Sequence, residues 1–366
     1  MAIVFIITRF VEGHMASTRL FTLKRHLPEL FELEHLLARA GDRARATVLS
    51  EIEVADSLLP IHAIELGSTA PDAPLLGLIG GIHGVERIGT QVLLAYLHSL
   101  LERMRWDDSV GCQLAGLKLV IIPIANPGGM YHNRRCNPNG IDLMRNAPID
   151  AKGKVPALLG GHRLSRLLPW YRGPKGAPME PELRALYDFM SGQISGRPFS
   201  LTLDVHSGFG FKDRLWFPYA GAFEPIRDLN VMYRLNRLFV KTFPNHGLYQ
   251  VEPQAHSYTT HGDVWDLLYD NSLRQQPAAT FLPLTLEMGS WLWVKKNPRQ
   301  LLRYRSLFHP ELPHRRSRIL RRHYPLLDFL MMAVASYGNW MKTKPEQIHK
   351  DNRAAIKLWY DGEATT

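Results

Sequence analysis

The chain has 366 residues, 44 lysines and arginines against 34 aspartates and glutamates, a formal net charge of +10 and an apolar share of 45%. That length and apolar content exclude a disordered or fibrous chain, and leave room for one large domain or a main domain with an appendage. Two cysteines, Cys112 and Cys136, exclude a disulfide framework and suit a reducing, cytoplasmic setting. The opening MAIVFIITRFVEGHM lacks a basic n-region, a long apolar stretch and a small-residue cleavage site, so it reads as neither signal peptide nor membrane anchor, with Met15 an alternative start.

Residues 16–45 are charged and leucine-rich, with Leu27, Leu30, Leu33 and Leu37 near one face, which predicts a lead-in helix. Two edge strands are expected at 46–54 and 61–66, then a buried strand at 75–80 that breaks at Gly80-Gly81. A helix over 87–105 precedes LKLVIIPIANP (117–127), an apolar run stopped by Asn-Pro-Gly-Gly. Residues 128–180 read as a long loop, and Pro181 suits the first turn of a helix over 180–195. Strands follow at 201–208 (LTLDVHSG), 214–219 (RLWFPY) and 281–289 (FLPLTLEMG), with helices over 224–243 and 261–270 between them. Alternating strands and helices with apolar strands predict an α/β fold, a doubly wound mixed sheet flanked by helices.

The last 75 or so residues read as a mostly helical extension, so the expected units are 1–45, 46–294 and a basic 295–366 packed on the same domain. The run LLDFLMMAVASY is too short to span a bilayer and carries Asp328. Basic residues crowd 295–323, yet no nucleic-acid module accompanies them, and a solvated basic face is the expectation.

Several strand ends carry polar groups, and ligands of open α/β sheets gather outside the carboxyl ends of strands. Strand 75–80 leads to His83 and Glu86, three apart in a glycine-rich turn. Such a pair is a common half-set of zinc ligands, or a helix-start glutamate beside an unrelated histidine. Strand 201–206 ends at His206, and strand 284–287 at Glu287; the strand at 117–125 feeds a loop with Arg134, Arg135, Asp142 and Arg145. Taken singly, His206 could be a satisfied core histidine, Glu287 a partner of a loop arginine, and Asp142 a turn cap. His256 and His261 read as ordinary loop imidazoles.

In this order the pieces resemble the zinc carboxypeptidase family and its relatives, the aspartoacylase and succinylglutamate desuccinylase deacylases. The similarity covers about 80 to 290: His83-Gly-Val-Glu86, Asn126-Pro127-Gly128-Gly129, NRRCNPNGIDLMRN (133–146), Glu180-Pro-Glu182, LDVHSG (203–208) and TLEMG (285–289). The resemblance implies one Zn2+ held by His83, Glu86 and His206, with Glu287 as general base. It implies Arg135 as oxyanion stabiliser, Arg145 as the holder of a substrate carboxylate, and Asp142 as the group steadying the His83 ring. Tyr258 and Arg134 fall on the substrate side. One departure stands out: the family's asparagine before the carboxylate-binding arginine is Met144 here, and a thioether cannot donate a hydrogen bond. The implied partner is a peptide or N-acyl amino acid with a free carboxylate, not a nucleic acid or a membrane. An aspartoacylase-like deacylase and a non-catalytic zinc-holding protein are the competing expectations.

Overall fold

The computed structural model describes residues 22–298 and 304–361. The readings of the opening segment and of Met15 therefore lie outside the described residues, as does the start of the lead-in helix. Helix α1 (Pro28–Ala40) begins with proline in its first turn and buries Leu30, Leu33 and Leu36. Strands β1 (Arg45–Val54) and β2 (Ser57–Gly67) form an antiparallel hairpin whose two turn residues, Ala55 and Asp56, have φ of 48° and 59°.

The centre of the sheet is parallel: β3 (Leu75–Gly80), β4 (Lys118–Ile122), β5 (Phe199–Ser207) and β8 (Thr280–Met288), buried along nearly their whole lengths. Burial on both faces explains why these segments read as unbroken apolar runs. With β6 (Asp213–Phe217) and β7 (Tyr249–Pro253) they make one eight-stranded mixed sheet in the order β1-β2-β4-β3-β5-β8-β6-β7. From β3 the chain crosses to β4 on one side and later to β5 on the other. The carboxyl end of β3 is thus the switch point where an open sheet presents a crevice.

Helices α2 (Arg87–Arg103), α3 (Asp108–Ala115), α4 (Pro127–Tyr131), α5 (Pro181–Ile194), α6 (Leu229–Thr242) and α7 (Val264–Gln275) connect the strands. Past β8 come α8 (Trp291–Lys296), α9 (Pro313–Ala335), α10 (Tyr337–Met341) and α11 (Pro345–Trp359). Helix α9 packs along α2: Tyr96 donates to Asp328 at 3.3 Å, and the Arg103 guanidinium reaches both Asp328 oxygens at 3.1 and 3.2 Å. Helix α11 lies on α6, joined by Arg234 Nε to Asp351 at 2.6 Å. Among the described residues no helix is long and apolar enough to cross a membrane.

Where the elements differ from expectation, local chemistry explains it. The run over 117–127 divides, because β4 ends at Ile122 and Asn126 caps the short helix α4, its Oδ1 accepting the Gly129 N–H at 2.8 Å. Helix α7 starts at Val264, because Asp263 accepts the N–H groups of Trp265 (2.8 Å) and Asp266 (3.0 Å). Strand β7 had no clear sequence signal: only five residues long, mostly exposed or half-buried, it ends in proline.

One buried ion pair ties the N-terminal helix to the core. Arg87, the first residue of α2, donates to Glu29 of α1 at 2.5 Å and to the carbonyls of His26 and Met130 at 2.6 Å. Removing one partner of such a pair strands a buried charge, so Arg87→Ala should lower unfolding free energy by about 3–5 kcal/mol in urea melts. A loss below about 1 kcal/mol would mean that α1 is only loosely docked.

His62 in β2 is buried, with no partner for either ring nitrogen, and burial lowers its pKa to about 4. The unfolded chain therefore binds a proton between about pH 6.5 and 4 that the folded chain refuses. Stability is full above pH 6.5 and falls by about 3 kcal/mol as pH drops toward 4. His62→Leu should flatten that part of the stability-against-pH curve, and an unchanged slope would refute the assignment.

Candidate active site

The loop after β3 turns sharply because glycines let two chain segments touch. A Cβ on Gly84 would lie 2.1 Å from the Gly129 carbonyl carbon, so the His83–Glu86 turn rests directly on the Asn126-Pro-Gly-Gly turn. Asn126 fastens the two by donating its Nδ2 to the Ile82 carbonyl at 3.0 Å. His83 and Glu86 are thereby held over the carboxyl end of β3, and both are buried.

Register delivers the rest. In the parallel pair β5–β8, His206 stands opposite Glu287. His206 Nδ1 is 3.1 Å from His83 Nδ1 and 3.0 Å from Glu86 Oε2, while His83 Nδ1 is 2.9 Å from Glu86 Oε1. Ligand atoms of His83, Glu86 and His206 all lie within 4.8 Å of one another. Glu86 also accepts the Ser207 backbone N–H at 2.9 Å.

The outer ring nitrogens are engaged by carboxylates: His83 Nε2 by Asp142 at 3.1 Å, and His206 Nε2 by Asp204 at 2.7 Å. A carboxylate accepts only, so each Nε2 donates to its own, and each Nδ1, turned inward beside Glu86, is placed to ligate a cation once it gives up its proton. Two inner ring nitrogens and a carboxylate converging on one point make a donor set for a cation, with carboxylate-supported histidines as metal sites use them. Around the trio the hydrogen-bonded charges are three carboxylates (Glu86, Asp142 and Asp204) against the single guanidinium of Arg135, an excess that suits a divalent ion.

Electrostatics follow the same logic. Burial alone would raise the Glu86 carboxyl, but the imidazoles of His83 and His206 hold it well below the usual range. Burial opposes charge on His206, yet Asp204 and Glu86 push its affinity for a proton well above the ordinary imidazole value. Arg135 donates Nε to Asp142 at 2.8 Å and Nη1 to Glu86 at 3.1 Å, and Asp142 is held well below its normal pKa against the cost of burial. Burial and the neighbouring Glu86 raise Glu287 to about 8, and its Oε1 accepts the Phe209 N–H at 3.0 Å.

The loop bearing Arg135 is pinned from outside by Glu180-Pro-Glu182. Asn137 Nδ2 donates to Glu180 at 2.7 Å and to Glu182 at 3.2 Å, while its Oδ1 accepts the Ile141 N–H at 3.0 Å. Asp142 then opens the turn Leu143–Arg145, accepting the Met144 N–H at 3.1 Å. The backbone there is so close to Gly262 that a Cβ on that glycine would sit 1.9 Å from the Arg145 carbonyl oxygen.

A cavity of about 440 Å³ gathers His83, Glu86, Arg135, Arg145, Tyr258 and Glu287 in its lining. Arg145 spends Nε on the Leu159 carbonyl (3.2 Å) and Nη1 on that of Met144 (3.1 Å), which leaves a buried Nη2 with no partner. Tyr258 packs its ring 5.4 Å from Phe209 and 5.8 Å from Trp216. Arg134 is exposed and borders a neighbouring hollow whose lining also includes Arg135, Cys136, Asp142 and Arg166, outside the cavity of the ligand trio. His256 and His261 lie away from the trio, His261 accepting the Ala151 N–H at 3.0 Å.

Sequence reasoning missed Asp204, although a carboxylate two residues before a strand histidine shares its face and was open to view. It also missed the Ser207 and Phe209 backbone donors, which no side-chain pattern announces.

Comparison with known proteins agrees with this geometry. The family described as "Zinc carboxypeptidase" matches residues 54–290, well over half of the chain. Carboxypeptidase E of Caenorhabditis elegans is 27% identical over 203 residues, 50% of this chain and 42% of that protein. Carboxypeptidase D of Drosophila melanogaster is 27% identical over 151 residues, 39% of this chain and 9% of that protein. The chain thus spans less than half the length of these curated relatives. Among solved structures, thrombin activatable fibrinolysis inhibitor superposes with a TM-score of 0.62 at 20% identity, covering 85% of this chain and 73% of the other. Carboxypeptidase A from Helicoverpa armigera gives a TM-score of 0.62 at 16% identity with the same coverage. These likenesses are of fold. Together with the matched span and the buried His-Glu-His group, they mean that the chain belongs to the zinc carboxypeptidase family of metallopeptidases.

Proposed function

We propose that the protein is a metallocarboxypeptidase that hydrolyses the peptide or amide bond next to a substrate's free carboxylate, with one zinc ion held by His83, Glu86 and His206. The observation that carries this is the unpaired, buried Nη2 of Arg145 in the cavity that also holds the three ligand side chains. A buried donor without a partner is costly, and a substrate carboxylate would complete it. Met144 contributes its backbone and a buried side chain rather than the family's amide, so Arg145 bears more of the grip.

A bound zinc ion supplies Lewis acidity, polarising the scissile carbonyl and bringing the pKa of water down to about 7. Glu287, its carboxylate anchored by the Phe209 N–H, takes the proton of the attacking water; burial and Glu86 strengthen its hold on a proton, and the charge of a bound zinc ion would ease it back toward the ionised form a base needs. Glu287 then returns that proton to the leaving amine. Arg135, fixed by Asp142 and Glu86, offers its guanidinium to the carbonyl oxygen as negative charge grows there. Asp142 and Asp204 hold the two imidazoles in the protonation state that a ligand needs. Tyr258 walls the substrate side of the cavity, while Arg134, exposed and outside it, is left with no assigned contact to the substrate. Residues 46–294 would carry this chemistry, with the lead-in helix and the 295–366 extension bracing it.

His83→Ala and His206→Ala should each lose bound zinc by elemental analysis, and unchanged stoichiometry would remove them as ligands. Glu287→Gln should retain the metal and lose about 10²–10⁴-fold in kcat, and a smaller loss would strip it of the base role. Arg145→Lys should raise KM more than it lowers kcat, because a single ammonium cannot keep the Leu159 and Met144 carbonyl contacts while also offering an N–H to a carboxylate. The assay should pair blocked dipeptides with N-acetyl- and N-succinyl-amino acids. Faster turnover of the latter would identify a deacylase instead.

A further inference from the structure

Two cavities meet at one wall. The catalytic cavity shares Gly208, Trp291 and Phe308 with a second cavity of about 460 Å³, whose remaining lining among the described residues is Phe211, Val294, Lys295 and Leu307. Trp291 is fixed in the wall by its Nε1, which donates to the Gly208 carbonyl at 3.0 Å, and by its backbone N–H, which donates to the Gly210 carbonyl at 3.1 Å. The Phe308 backbone is fixed by Ser207 Oγ, which donates to its carbonyl at 2.8 Å. A Cβ on Gly208 would lie 2.7 Å from the Phe308 ring and 3.9 Å from Glu287 Oε1, so the wall stands beside the candidate base. Trp291 and Phe308 both lie beyond residue 290, where the family match ends.

The second cavity is apolar and partly open. Phe211 is 55% exposed and Trp291 45% exposed, large aromatic surfaces left uncovered next to a catalytic cleft. Lys295 is the one charged lining residue among those described, its ammonium 5.9 Å from the centre of the Phe211 ring.

We propose that this second cavity is a subsite for a bulky apolar side chain on the substrate residue just before the scissile bond, and that Lys295 disfavours a basic residue there. The proposal rests on the carboxypeptidase assignment. Arg145 takes the terminal carboxylate, so the acyl side of the substrate extends away from it, and the shared wall of Gly208, Trp291 and Phe308 beside Glu287 puts the second cavity next to that side. Burying a leucine or phenylalanine side chain there rather than none corresponds to about 10–100-fold in kcat/KM.

The test uses blocked X-Phe dipeptides with X as glycine, leucine, phenylalanine or lysine on the full-length zinc-loaded protein. Leucine and phenylalanine should exceed glycine by about 10–100-fold, and lysine should fall below it. Val294→Asp and Leu307→Asp should bring the leucine-to-glycine ratio close to one, and Lys295→Glu should raise turnover of the lysine substrate. Calorimetry with the Glu287→Gln protein should show the leucine peptide binding about tenfold more tightly than the glycine peptide, a gap that Val294→Asp abolishes. Hydrolysis with a flat X series overturns the subsite alone, as does a leucine preference untouched by both aspartate variants. No hydrolysis of the X series with phenylalanine, lysine or glutamate in the terminal position overturns the carboxypeptidase assignment together with the subsite.

Discussion

Two imidazole nitrogens 3.1 Å apart, both beside the Glu86 carboxylate, can turn their lone pairs toward one another only with a cation between them. The rest of the site follows from that constraint. Asp142 and Asp204 fix the outward protons, Glu86 closes the third side, and Arg135 keeps the buried carboxylates from repelling one another. Charge inside a protein is tolerated only when paired and hydrogen-bonded, and here each carboxylate around the trio meets a ring nitrogen or guanidinium.

Holding such a cluster takes more rigidity than loops alone provide. Two of the groups, His206 and Glu287, sit on adjacent parallel strands in direct register, and ladder hydrogen bonds fix their spacing. The other two ride a turn locked onto its neighbour by glycine contact and by Asn126. The arginine loop, the longest irregular stretch involved, is stapled at its base by Asn137 to Glu180 and Glu182. Each of these segments has its own anchor.

Much of this was legible in the sequence. The central strands announced themselves as apolar runs, because burial on both faces leaves nothing polar to interrupt them. His83, Glu86, His206 and Glu287 stood out because each followed such a run. What stayed hidden depends on partners distant in the chain. Strand β7 owes its pairing to β6 rather than to its own pattern. The role of Glu180 and Glu182 appears only once Asn137 is folded against them. Arg134 and Arg135 are neighbours of the same type in sequence, yet one is exposed and the other is bound to two carboxylates; only tertiary contact separates them.

Arg87 follows the candidate ligand Glu86 directly, and its guanidinium is clamped by Glu29 of a helix that precedes the family match. At the other end, Phe308 and helix α9 close on the cleft and on α2 from beyond that match. The borders of shared ancestry and the borders of the cooperative unit therefore do not coincide. A fragment trimmed to residues 54–290 would keep the ligands, but would leave the buried Arg87 guanidinium beside them with its counter-ion Glu29 cut away.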